Sequence, residues 1–192
     1  MEEKDPGQVL IEVTDILHEL NIPYIITGGM AVLIWGRPRF TADVDIIVEL
    51  DYGNVDNLTK ALLMLGEASY IDKGMIKEAL ESEGEFNFIH GDSGIKVDFW
   101  ILKKNDPFDS SRIKRKVVKS IANKKIYFSS AEDLILSKLD WYQQSQSTRH
   151  LEDIESVLHV SGKKLDMDYL NKWTKKLGFS EDFNKILNSK KY

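Results

Sequence analysis

The chain predicts an α+β fold: a mixed β-sheet core over residues 1–128 and a helical bundle over residues 129–192. Three features point there. Short runs of β-branched and apolar residues alternate with amphipathic helical spacing through the first two thirds. From Ser130 onward only helical spacing remains. Val44, Ile46, Ile47 and Val48 are apolar enough to make Asp43–Val48 a buried strand near the centre of the sheet.

The elements follow in order. Asp5 and Pro6 read as an N-cap and a first helical proline, and Val9, Leu10, Val13, Ile16, Leu17 and Leu20 recur at helical spacing behind them. Ile25–Thr27 end a first strand, and Gly28-Gly29 lead into a short helix, Met30–Trp35. After the Asp43 strand, Asp51–Asn54 is a turn, Val55–Leu65 a helix and Met75–Leu80 a shorter one. Glu85–His90 and Ile95–Leu102 pair as a hairpin across Gly91–Gly94. Asp106-Pro107 reads as a break, and two short strands follow around Ala122-Asn123. Ser130, with Asp133 three residues on, opens the first C-terminal helix. Further helices are expected over Thr148–Val160, Asp168–Leu177 and after Ser180.

Composition excludes several classes. The 192 residues suit one domain with a small appendage, and 42% hydrophobic with 30% charged residues is ordinary for a globular protein. No cysteine is present, so disulfides and thiolate metal sites are ruled out. No segment has the length of a membrane span and the acidic start is unlike a signal peptide, so the expectation is a cytoplasmic protein without a membrane partner. A net charge of −5 gives no global attraction to nucleic acid. The basic stretch Arg112–Lys125 offers a local patch for RNA phosphate, or else a solvated basic hairpin.

The chemistry concentrates between Tyr24 and Leu50. Strand side chains alternate, so Asp43 and Asp45 share a face. Two carboxylates on one face of a buried strand call for a cation between them, and a hard divalent ion suits oxygen ligands. Gly28-Gly29 at a helix start lets phosphate approach backbone N–H groups. Asp98 shares its strand face with Lys96 and Trp100, and completes a three-carboxylate cluster if that strand neighbours the first. Otherwise Asp98 is a polar residue on an exposed edge. Dinucleotide, P-loop and nucleophile-elbow motifs are absent, and the four histidines lack metal-ligand spacing.

Gly28-Gly29, then Asp43-x-Asp45, then Asp98, resembles the nucleotidyltransferase superfamily, the DNA polymerase β-like fold. The longer pattern from Gly28 through Arg37-Pro38-Arg39 to Asp45-Ile46 is similar to the small branch of AbiEii-type toxin nucleotidyltransferases. Where many members carry a serine after the glycines, this chain has Met30, which leaves the phosphates to backbone N–H groups. The resemblance implies transfer of a nucleoside monophosphate from a nucleoside triphosphate to an acceptor hydroxyl. Two Mg²⁺ ions, or Mn²⁺, would be held by Asp43, Asp45 and Asp98, with Asp98 as general base. The acceptor it allows is tRNA or another RNA, a protein side chain or a small molecule. A toxin role with an antitoxin partner is implied by the branch alone.

Phosphate binding is then expected of Gly28, Gly29, Met30, Arg39 and Lys138. Lys138 is carried over from the Glu132–Leu139 segment, against the plain alternative that its stem lies along the core. Arg37 and Arg39 either contact phosphate or pair with a nearby carboxylate. Arg149 and Asp153, four apart on a helix, are expected to pair with each other. The competing function is a nucleotidyltransferase fold that binds nucleotide or a partner without turnover.

Overall fold

The structure, a computed structural model, describes residues 4–189. The first three residues of the acidic N-terminus and the last three of the expected helical bundle lie outside the described residues. The chain forms two compact units. Of the described residues, the first comprises 4–30 and 40–128, the second 31–39 and 129–189. Residues 31–39 thus group with the C-terminal helices.

The first unit is built on a six-stranded mixed sheet. Its strands are β1 (Tyr24–Ile26), β2 (Val44–Val48), β3 (Glu85–Ile89), β4 (Lys96–Ile101), β5 (Val117–Ile121) and β6 (Lys124–Phe128), in the order β3-β4-β2-β1-β6-β5. β2 runs antiparallel to β1 and parallel to β4, and β1 runs parallel to β6. Alternation sorts the side chains. Val44, Ile46 and Val48 of β2 and Val97, Phe99 and Ile101 of β4 are buried, as are Phe86 and Phe88 of β3. Phe86 and Phe99 stack at 4.9 Å between centroids.

Helix α1 (Pro6–Glu19) packs on β6 and α4 (Lys73–Ser82) on β3, and α3 (Val55–Leu63) packs against both helices. α1 starts where the sequence places it. Asp5 accepts from the Gln8 N–H while the Gln8 side chain accepts from the Asp5 N–H. In chain order α2 (Gly28–Trp35) follows β1 and begins at the glycine pair itself.

Two elements differ from expectation. β2 begins at Val44 because the ladder to β4 opens there, opposite Val97, so Asp43 sits just before the strand and is exposed. And Asp106-Pro107 starts a helix, α5 (Pro107–Lys114), in which Asp106 accepts from the Asp109 N–H. This is the same cap-plus-proline signature as Asp5-Pro6. The β5–β6 turn falls at Ala122-Asn123, with φ of 47° and 63°, the paired left-handed conformation of a tight hairpin.

In the second unit α6 (Ala131–Ser145) packs against α7 (Thr148–Ser161) and α8 (Met167–Leu177), and α9 (Ser180–Ser189) packs on α8. Ser130 caps α6 by accepting from the Asp133 N–H, and its hydroxyl donates to the Asp133 carboxylate. Leu134, Ile135, Leu139, Ile154, Val157, Leu170 and Phe183 are buried in this unit. No helix among the described residues is long and apolar enough to cross a membrane.

Candidate active site

The parallel pairing of β2 with β4 decides the site in the first unit. Asp45 lies directly opposite Asp98 in the register, so both side chains leave the same face of the sheet on neighbouring strands. Asp43, two residues before Asp45, precedes the strand end. Val44, Ile46 and Val48 fill the opposite, buried face, which fixes the register: a one-residue slip would bury the carboxylates.

The glycine corner faces the same carboxylate. Gly28 has φ of +55°, and an added Cβ there would fall on Asp45 Oδ2. Gly29 donates its N–H to Asp45 Oδ2 at 3.4 Å, and a Cβ on it would fall on Thr41 Oγ1. Both positions therefore need glycine, the first for conformation and space, the second for space alone. Thr41 in turn donates to the Asp43 carbonyl at 3.3 Å. Met30, next in the helix, is buried.

Two residues that sequence reasoning did not single out belong here. Lys96 Nζ lies 2.7 Å from Asp98 Oδ2. That hydrogen bond, with the charges of Asp98, Asp43 and Asp45, holds the lysine proton more tightly than usual. Glu85, on the hairpin partner strand, is exposed, and its carboxyl is pushed up by partial desolvation and by the charges of Asp98 and Asp45, against the pull of Lys96. The signal for Glu85 was available. A hairpin turning between Asp92 and Ser93 sets Asn87 opposite Asp98 and puts Glu85 on the same face. Among the described residues no three acidic or imidazole side chains stand close enough together to enclose a metal ion.

In the second unit Asp153 of α7 is buried, and it takes two cations. Arg39 reaches it through two hydrogen bonds, Nε to Oδ1 at 2.6 Å and an NH2 nitrogen to Oδ2 at 2.8 Å. Lys138 Nζ lies 2.9 Å from Asp153 Oδ2. Burial alone would raise the Asp153 carboxyl, but the hydrogen bonds and charges of Arg39 and Lys138 outweigh it and hold the group below its usual range. The expected Arg149–Asp153 pair gives way to these partners, because Asp153 points into the bundle where Arg39 and Lys138 converge. Arg39 and Lys138 thus take the carboxylate-paired arrangement, and Arg37 is tied through its backbone N–H to Ser156 Oγ at 2.6 Å. Arg37, Arg39, Asp153, Ser156 and His159 are among the residues lining a cleft of about 300 Å³ in this unit.

The basic stretch is largely engaged by its own unit. Arg112 pairs with buried Asp109 at 2.6 Å, Lys116 lies 4.3 Å from the Tyr127 ring centroid, and Lys124 pairs with Asp15 at 2.8 Å.

No family model matches the sequence, and no curated protein does. Solved structures do. The chain is similar to ANT(2″)-Ia, solved in complex with adenylyl-2″-tobramycin, with a TM-score of 0.60 and 16% identity over 88% of this chain and 97% of that one. It is similar to an antigenic nucleotidyltransferase-like protein from Paracoccidioides brasiliensis, with a TM-score of 0.58 and 18% identity over 97% and 93%. It is also similar to the lincosamide antibiotic adenylyltransferase LnuA, solved with lincomycin, with a TM-score of 0.52 and 16% identity over 81% and 96%. At such identities the likeness is one of architecture: the chain has the nucleotidyltransferase fold.

Proposed function

We propose that the protein is a nucleotidyltransferase that moves a nucleoside monophosphate from a nucleoside triphosphate to an acceptor hydroxyl. The observation that carries the reading is the direct register of Asp45 with Asp98 on adjacent parallel strands, with the Gly28-Gly29 corner against Asp45. Neighbouring strands lie roughly 4.8 Å apart, a spacing at which two carboxylates on one face can share a cation. The donor set fits Mg²⁺ in chemistry, since all three groups are hard oxygen ligands. Asp43, Asp45 and Asp98 do not enclose an ion as they stand and would have to draw together to hold two such ions, which would supply charge neutralisation at the α-phosphate and at the departing pyrophosphate.

The chain's own groups do the rest. In the first turn of α2 the N–H groups of Met30 and of Gly29, the latter exchanging its long contact to Asp45 Oδ2 for phosphate, hold phosphate oxygens where no Cβ stands in the way at Gly28 and Gly29. Asp98 takes the proton of the acceptor hydroxyl on its carboxylate. The acceptor oxygen then bonds to the α-phosphorus, the bond from that phosphorus to the bridging oxygen breaks, and pyrophosphate leaves. A phosphate role is proposed for Arg39 and Lys138 within their own unit, where the trio they form with Asp153 keeps one positive charge. The acceptor is an RNA, a protein side chain or a small hydroxyl compound.

The test is incubation of the full chain with each α-labelled nucleoside triphosphate, Mg²⁺ and pools of these acceptors, following label transfer and pyrophosphate. Label transfer that Asp45→Asn and Asp98→Asn reduce by at least about 10²-fold supports the reading. Bound nucleotide without pyrophosphate in any pool replaces it with a binding role, and free phosphate replaces it with hydrolysis.

A further inference from the structure

Asp98 has a partner that the proposed chemistry leaves unused. Lys96 stands two residues before it on β4, so the two side chains leave the same face, and the Lys96 ammonium lies 2.7 Å from Asp98 Oδ2. Four carboxylates act on one another or on this ammonium: Asp43, Asp45 and Asp98 on Lys96, and Asp45 and Asp98 on Glu85. Carboxylates in register on adjacent strands repel unless a cation stands among them. The lysine side chain is 42% exposed while the Asp98 side chain is 15% exposed. The ammonium therefore has an open path back to water, and a pair this exposed gives way at little cost.

We propose that Lys96 is an internal counter-ion for the carboxylate cluster, one that a divalent cation must displace from Asp98 Oδ2 in order to bind. The inference rests on the nucleotidyl-transfer reading above. Two cations competing for one carboxylate lower each other's apparent affinity, and either of them relieves the same repulsion. Lys96 therefore weakens metal binding and protects the cluster when metal is scarce. Its contribution to stability and that of the metal overlap rather than add. Lys96 is a positioning residue in this scheme, acting through Asp98.

The experiment uses the full chain, wild type against Lys96→Met, Lys96→Arg and Asp45→Asn. Free Mn²⁺ is followed by electron paramagnetic resonance during titration, and Tm is measured with and without saturating Mg²⁺. Lys96→Met is expected to bind Mn²⁺ about three- to tenfold more tightly, tenfold being about 1.4 kcal/mol. Its Tm falls below wild type without metal, and Mg²⁺ closes that gap. Lys96→Arg keeps the charge and follows wild type. Unchanged or weaker Mn²⁺ binding by Lys96→Met, or a Tm gap that persists in Mg²⁺, overturns the inference. If wild type, Lys96→Met and Asp45→Asn all fail to bind Mn²⁺, the transfer reading falls with it; if Asp45→Asn alone loses binding while Lys96→Met matches wild type, only the counter-ion role is lost.

Discussion

Replacing Asp153 with alanine tests how the second unit is held together. The Asp153 side chain is 2% exposed, and its partners Lys138 and Arg39 are 9% and 25% exposed. Removing it takes from Lys138 and Arg39 the buried carboxylate they share. Breaking a buried pair from one side costs about 3–5 kcal/mol, and the partial exposure of Arg39 places this case near about 3 kcal/mol. For a chain of this length each kcal/mol moves Tm by about 2–4 °C, so the expected fall is about 6–12 °C. Urea and thermal unfolding at pH 7 measure it. The pH dependence adds a second reading. The folded carboxyl is held below the ordinary value of 3.8, so its contribution is present above that value and is lost as pH falls through the lower, folded one. The gap between wild type and Asp153→Ala should thus stay level from neutral pH to about pH 4 and close in stronger acid. A loss under about 1 kcal/mol at pH 7, or a gap that widens in acid, would refute the reasoning.

Four further outcomes follow from single positions. Gly28→Ala, at φ +55° with its new Cβ on the Asp45 carboxylate, should cost about 2–3 kcal/mol in urea unfolding. Gly162→Ala, with nothing near its Cβ and an ordinary helical φ, should be close to neutral and serves as the control. Ala122→Gly should raise stability by about 0.5–1 kcal/mol, because alanine holds φ 47° in the β5–β6 turn. Burial pushes the Tyr24 phenol up from 10.0 to about 12, so stability is full below pH 10 and is lost as pH rises toward about 12. Tyr24→Phe should remove that part of the alkaline loss, as read by unfolding free energies between pH 9 and about 12 against wild type.

Much of this protein was legible in the order of its residues. Period-two alternation placed Asp43 and Asp45 together and Asp98 with Lys96, since side chains in extended backbone must alternate. Cap chemistry placed the starts of α1 and α6, because those side chains satisfy N–H groups within three residues. The missed helix α5 carried the same local signature, Asp106-Pro107, and was hidden by the basic run behind it. Local rules stop where partners are distant in the chain. Arg149 was the sequence neighbour of Asp153, yet the aspartate is held by Arg39, 114 residues away, because packing of α6 and α7 brings buried charge to whichever cations it meets. Likewise Asp45 and Asp98 are 53 positions apart, and only the parallel ladder of β2 and β4 sets them side by side. The sequence by itself determined which groups share a strand face, a turn or a cap, for those depend on backbone period and near neighbours. Tertiary structure alone decided which faces meet, because strand order and register are settled by burying Val44, Ile46, Val97 and Phe99 together, and the carboxylates opposite them follow.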